Sequence, residues 1–191
     1  MTEWDGRTVE SLLVVAPHCD DEVLGAGGLL ARAAARGIPA RVVLLTNGDG
    51  FNRYALGGRY RRLRLTPAQY IEFAYLRQQE TLEAVQVLGL SPEQVTFLGY
   101  PDRGLAPMWE KHWSPQRPYR SRFTQLTHSP YRNSLSPGAV HCGRSLVRDL
   151  KAVLRACRPT HVAVPHPLDT HRDHWAAACF TLYALEELAR E

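Results

Sequence analysis

No apolar run in this chain approaches the roughly 18 residues that a membrane-crossing helix needs, so no membrane span is expected. The start, Met1-Thr2-Glu3-Trp4-Asp5-Gly6, lacks the basic residues and apolar stretch of a secretory leader. Cysteine is scarce. Cys19, Cys142, Cys157 and Cys179 are widely spaced with no CxxC pair, which argues against a disulfide framework and a thiolate zinc ribbon. Cys157 and Cys179 fall within helical patterns and are expected to be buried. Together these absences point to a cytoplasmic location. A phosphate-cradling GxGxxG is also missing: Gly25-Ala26-Gly27-Gly28 comes a turn too late, after a charged cluster, which counts against a nucleotide-binding α/β protein. Internal repeats and low-complexity tracts are lacking as well.

What is present is ordinary in bulk. The 191 residues, 45% hydrophobic and 22% charged, suit one domain over 1–191 with a core that needs no staples. The net charge of +4 is mild, but Arg53, Arg59, Arg61, Arg62 and Arg64 share a segment with no acidic residue. That segment reads either as a solvated loop or as a lure for an anionic substrate. No nucleic-acid-binding motif accompanies it, so nucleic acid is not expected as a partner.

Strand and helix signals alternate along the chain. Residues 11–16 form a β-branched and leucine run typical of a strand covered on both faces, and a helix is expected from Glu22 to Arg36, capped near Gly37. Arg41–Thr46 reads as a second strand, which closes a βαβ unit and implies parallel pairing. Thr66 and Pro67 start the next helix, with Ile71, Ala74, Tyr75, Leu82, Val85 and Leu88 as its apolar stripe. Val95–Leu98 and His161–Val164 read as further strands, the stripe Leu146, Leu150, Val153 and Cys157 as a helix, and Trp175–Leu188 as the last helix. Residues 105–142 show no clean period. A loop of that length, rich in aromatics, reads as an insertion capping a functional pocket. The alternation indicates a three-layer α/β fold with a mostly parallel sheet, whose ligands bind beyond the carboxyl ends of the strands.

Two ionisable clusters fall at such ends. The first is His18-Cys19-Asp20-Asp21-Glu22, and the second is His166-Pro167-Leu168-Asp169-Thr170-His171-Arg172-Asp173-His174. Imidazole nitrogens and carboxylate oxygens from two strand ends suggest one zinc site with an open position for water. His18 and Asp21 supply two ligands from a tight turn, and His174 a natural third. Asp20 is then free to act as general base, His171 to stabilise an oxyanion or protonate a leaving group, and Asp173 to orient His171. Taken alone, acids at a helix start merely complement its dipole, and two His at helical spacing are surface residues. Their joint placement makes accident the weaker reading. His166 reads as shaping its loop, and His112 and His128 have no evident partner.

Pro17-His18-Cys19-Asp20-Asp21-Glu22 resembles the P-H-x-D-D-E motif of the LmbE-like, or PIG-L, N-acetylglucosaminyl deacetylases, and His166 to His174 resembles their H-P-x-D-x-H-x-D-H. Arg77-Gln78-Gln79-Glu80, Leu88-Gly89 and Phe97-Leu98-Gly99-Tyr100-Pro101-Asp102 follow the family's order, so the resemblance runs from about residue 11 to 180. It implies a Rossmann-like αβα sandwich and a zinc hydrolase that removes acetyl from an N-acetylated amino sugar or glycoconjugate. His18, Asp21 and His174 match its metal ligands, Asp20 its general base, His171 its stabiliser of the tetrahedral intermediate, and Arg77 and Asp102 positions that contact substrate. Cys19 departs from the family's usual proline and reads as a bystander. The rivals are an amidase of sugar–thiol conjugates and a sugar-binding module without turnover. The ligand set accepts Fe²⁺ as well as Zn²⁺, and the sequence leaves a homo-oligomer open.

Overall fold

The computed structural model describes residues 9–50 and 65–191; the run containing Arg53, Arg59, Arg61, Arg62 and Arg64 lies outside the described residues. Strands β1 (Leu12–Ala16), β2 (Ala40–Thr46), β3 (Val95–Tyr100) and β4 (His161–Ala163) form one sheet in the order β3-β2-β1-β4. Every pairing is parallel, with Leu12 opposite Ala40 on one side and His161 on the other.

All five residues of β1 are buried, as are all of β2 except Arg41. Successive side chains leave a strand on opposite faces, so such runs feed two cores. Leu13, Val15, Val43, Leu45, Leu98 and Tyr100 pack against α4 (Leu105–Glu110), α5 (Gly143–Cys157) and α6 (Arg172–Ala189). Leu12, Val14, Ala16, Val42, Leu44 and Phe97 pack against α2 (Gly27–Ala35) and the end of α3 (Pro67–Val87). Helices therefore cover both faces, and the three-layer α/β architecture read from the sequence is the one observed. Among the described residues no helix is long and apolar enough to cross a membrane.

Several elements differ in detail from the sequence reading. The helix expected over 22–36 is two pieces, α1 (Asp21–Leu24) and α2, because Ala26 leaves the helical region with φ −134° and ψ 6° beside the poor helix former Gly25. Helix α3 starts as expected, with the Thr66 hydroxyl accepting from Gln69 N and the Gln69 side chain accepting from Thr66 N. Its buried face is more polar than the stripe suggested: Arg77, Gln78 and Thr81 are buried with Phe73, Ala74 and Val85, while Tyr75 is exposed. Cys19 and Cys142 are the buried cysteines, and Cys157 and Cys179 are only partly covered. The expected insertion opens as α4 and then runs irregularly. It is nonetheless packed, with Tyr119, Tyr131, Ala139 and His141 buried. Gly99, at φ +72°, permits this packing, since a Cβ there would lie 2.8 Å from both Ser129 and Tyr131.

Candidate metal centre and active site

The chain runs from β1 through β2 to β3 on one side, then returns to place β4 on the other side of β1. The switch in order falls between β1 and β4, where the ligands of such sheets bind. His18 follows β1, Asp49 follows β2, Asp102 follows β3, and the loop after β4 carries His171 and His174. The fold thus brings both sequence clusters to one place.

Asp21 lies at the centre. Its Oδ2 accepts the His18 backbone N–H at 3.0 Å, lies 3.0 Å from His18 Nδ1, and is 3.3 Å from His174 Nε2. The other nitrogen of His174 lies 3.0 Å from Asp169 Oδ2, and Asp169 Oδ1 accepts the His171 N–H at 2.8 Å. Such a carboxylate–imidazole pair fixes the ring and leaves Nε2 facing the site. Asp169 was not singled out from the sequence, although it stands inside the second cluster, five positions before His174. His171 is the N-cap of α6, its Nδ1 accepting the Asp173 N–H at 3.3 Å. His171 and His174 rings are 4.6 Å apart, and His18 and His171 rings 5.0 Å.

Asp173 is placed differently from the expectation. Its buried carboxylate accepts the backbone N–H groups of Arg103 at 2.6 Å and Leu105 at 3.1 Å and lies 3.2 Å from His18 Nε2. It therefore holds His18 and the turn after β3, while its backbone, not its carboxylate, meets the His171 ring. Asp102 Oδ1 approaches His18 Nε2 at 3.6 Å, and its Oδ2 accepts the Gly50 N–H at 2.9 Å.

Asp20 sits at φ 143° and ψ −30°, a region that costs a residue with a Cβ on the order of 1–3 kcal/mol. Two contacts hold it there. Its N–H donates to Glu22 Oε2 at 2.9 Å, and its Oδ2 pairs with Arg77 Nη2 at 2.9 Å. Arg77 also lies 3.6 Å from Glu80 and is itself buried, so its guanidinium braces Asp20 from behind. Cys19 turns into the core, its thiol pushed up by burial. His166 accepts the Leu168 N–H through Nδ1 and stays outside the cluster.

The electrostatics follow from this crowding. Burial alone would lower the His18 imidazole, but hydrogen bonds to Asp173 and Asp21 and the charge of Asp102 prevail and raise it to about 10. Burial would raise Asp21, yet His18 and His174 hold it below its ordinary value. His171 is lowered by burial and by the charges of His18 and His174. Asp49, which was not singled out from the sequence, is buried beside Asp102 and raised to about 7 by burial and that charge. Its signal was its position, one more acid beyond the end of a strand.

Three carboxylates converging on one imidazole call for a cation, and the donor set suits a metal ion. One nitrogen each of His18, His171 and His174 lie within 4.8 Å of one another, and Asp21 bridges two of these rings. His18, Asp102 and Asp173 form a second such group. Asp173 already accepts two backbone N–H groups, which favours the first. Imidazole with carboxylate suits zinc. A polar cleft lined by His18, Asp20, Asp21, Asp102, Arg103 and His171 opens onto these donors.

The sequence model of a family described as PIG-L, GlcNAc-PI de-N-acetylase, matches residues 13–185. Among solved structures, the chain is similar to the N,N'-diacetylchitobiose deacetylase of Pyrococcus horikoshii at TM-score 0.61 and 21% identity, covering 95% of this chain and 51% of that one. It is similar to a conserved protein of Thermus thermophilus at TM-score 0.56 and 30% identity, with coverages of 94% and 56%. A 4-carboxy-2-hydroxymuconate hydratase of Pseudomonas putida shares the fold at TM-score 0.59 and 23% identity, with coverages of 92% and 55%. The chain thus spans about half the length of these solved chains. Comparison with the curated proteins gave no significant match.

Proposed function

The chain belongs to the PIG-L family of GlcNAc-PI de-N-acetylases, and on that premise we propose that it is a metal-dependent hydrolase removing the acetyl group from an N-acetylated amino sugar. One observation carries the reading: Asp21 lies between His18 and His174, with the carboxylate of Asp20 held next to it by Arg77. His18 and His174 of the three-histidine group, with Asp21 between them, would hold the ion, zinc first and Fe²⁺ as the substitute, and the more exposed His171 is left for the substrate. When bound, such an ion supplies Lewis acidity that polarises an amide carbonyl and makes water nucleophilic near neutral pH.

The remaining work falls to side chains. Asp20 takes a proton from the attacking water as the C–O bond forms. With Nδ1 of His171 occupied by the Asp173 N–H, its proton sits on Nε2, from which a neutral ring donates to the developing oxyanion. Asp20 then passes its proton to the amine nitrogen as the C–N bond breaks, giving acetate and the free amino sugar. Asp102 lines the cleft and on this reading would accept a sugar hydroxyl. Capping of the cleft by the 105–142 segment is part of this proposal; Tyr131 donating to Asp49 and Phe123 packing over Gly50 support it. A sugar-binding module without turnover would have no use for the strained geometry of Asp20.

The test is metal content of the purified protein with amine release from N-acetylglucosamine and its conjugates. About one ion per chain with chelator-sensitive release is expected. Bound metal without amine release from any N-acetyl sugar would move the reading to another reaction on the same site. No metal after zinc addition would remove it.

A further inference from the structure

On the outer side of His171 lies a second cavity, of about 400 Å³, lined by Arg103, Arg122, Arg172, Thr170, His171 and Asp173 among others. Arg103 and His171 also line the cleft that holds His18, Asp20 and Asp21, so the two spaces share a wall. The three arginines come from three separate stretches: the turn after β3, the irregular segment following α4, and the first residue of α6. A merely solvated basic surface gives no reason for all three to converge on a cavity that shares a wall with the site.

The local charge balance is positive. The Asp173 carboxylate is committed to His18 and to two backbone N–H groups. Glu110 pairs with Arg172, whose guanidinium also lies 5.1 Å from the Trp175 ring centre. Among the described residues, Arg103 and Arg122 have no carboxylate partner; the Arg103 guanidinium lies 5.9 Å from the Phe123 ring centre. The positive end of the 18-residue helix α6 adds to this field. Guanidinium forks match the oxygens of a phosphoryl group two at a time.

We propose that this cavity is a subsite for a phosphoryl group carried by the substrate, so that the preferred amino sugar is phosphorylated. The substrate assignment rests on the deacetylase reading, whereas the anion site itself does not.

The experiment has two arms. Metal-free protein is titrated calorimetrically with inorganic phosphate, using wild type, Arg103→Ala, Arg122→Ala and the remote Arg190→Ala. Phosphate should bind wild type and Arg190→Ala alike, and bind the other two about tenfold more weakly or worse. Equal binding by all four, or none by wild type, would overturn the subsite. In the second arm, metal-loaded enzyme is offered N-acetylglucosamine and its 1- and 6-phosphates. A higher kcat/KM for a phosphorylated sugar is expected, with that preference falling about tenfold in Arg103→Ala and in Arg122→Ala. Turnover of the plain sugar with no preference would overturn the subsite and spare the deacetylase. Arginine-dependent phosphate binding without any amine release would uphold the subsite and sink the deacetylase.

Discussion

Two histidines, His18 largely covered and His141 buried, are driven in opposite directions. His18, at the end of β1, is raised to about 10, while His141, in the irregular segment before α5, is lowered to about 4. Burial lowers both, since it penalises the charged ring. The difference lies in the neighbours. His18 meets Asp21, Asp102 and Asp173 within 3.6 Å. No carboxylate acts on His141: burial prevails over the backbone groups of Leu126 and Tyr119, and the charge of His128 opposes protonation further. One region is built to hold positive charge out of reach of bulk water, and the other to exclude it. Burial by itself therefore identifies no site; several carboxylates converging on one imidazole point to one.

The largest effect expected comes from removing what makes the His18 region a cation site. His174→Ala should abolish stoichiometric zinc, measured as metal per chain after dialysis, and full occupancy would discard His174 as a ligand. Asp20→Ala should keep the metal and lose about 10²–10⁴-fold in turnover, the usual contribution of a general base; near-wild-type amine release would end its assignment.

The two histidines also predict a pH profile for metal-free protein. His141 binds its proton less tightly folded than unfolded, so its share of stability is complete above pH 6.5 and is lost as pH falls toward about 4. That share is about 3 kcal/mol at 1.36 kcal/mol per unit. His18 binds its proton more tightly folded, so its share is complete below pH 6.5 and is lost as pH rises toward about 10. Denaturant midpoints across this range should peak near pH 6.5, and in His141→Phe the acid side should flatten. An unchanged acid limb would contradict the contrast.

A smaller effect separates charge from backbone. Asp20→Gly and Asp20→Ala both delete the carboxylate, but only glycine accepts φ 143° without strain. The glycine variant should be more stable by about 1–3 kcal/mol, read from unfolding curves, and equal stability would mean the turn relaxes around alanine. Least in size, Thr66→Ala should cost about 1 kcal/mol through the lost cap of α3.

Much of this was legible in the sequence, and the misses share a cause. β1 and β2 were readable because a strand covered on both faces must be apolar throughout, and the Thr66-Pro67 start of α3 because capping is local chemistry. Both ionisable clusters were visible for the same reason: each is a short run beyond a strand. What escaped depends on contacts distant in the chain. Asp173 meets His18 across 155 positions, and Tyr131 meets Asp49 across 82. No periodicity announces such pairs. Arg77 left a trace, since polar residues at 77, 78 and 81 interrupt the apolar stripe where the helix passes behind Asp20.

The strand order has a temporal consequence. Leu12 pairs with Ala40 after a short crossover but with His161 only when nearly 150 further residues are available. During synthesis, β1, β2 and β3 can associate long before β4 exists, and pairings so remote in sequence are the slow ones. His18 and Asp21 belong to the early part, His171 and His174 to the late part. The constellation of His18, Asp21, His171 and His174 is therefore completed only once β4 has joined β1, and on the proposed reading capture of an ion would act as a latch on that step.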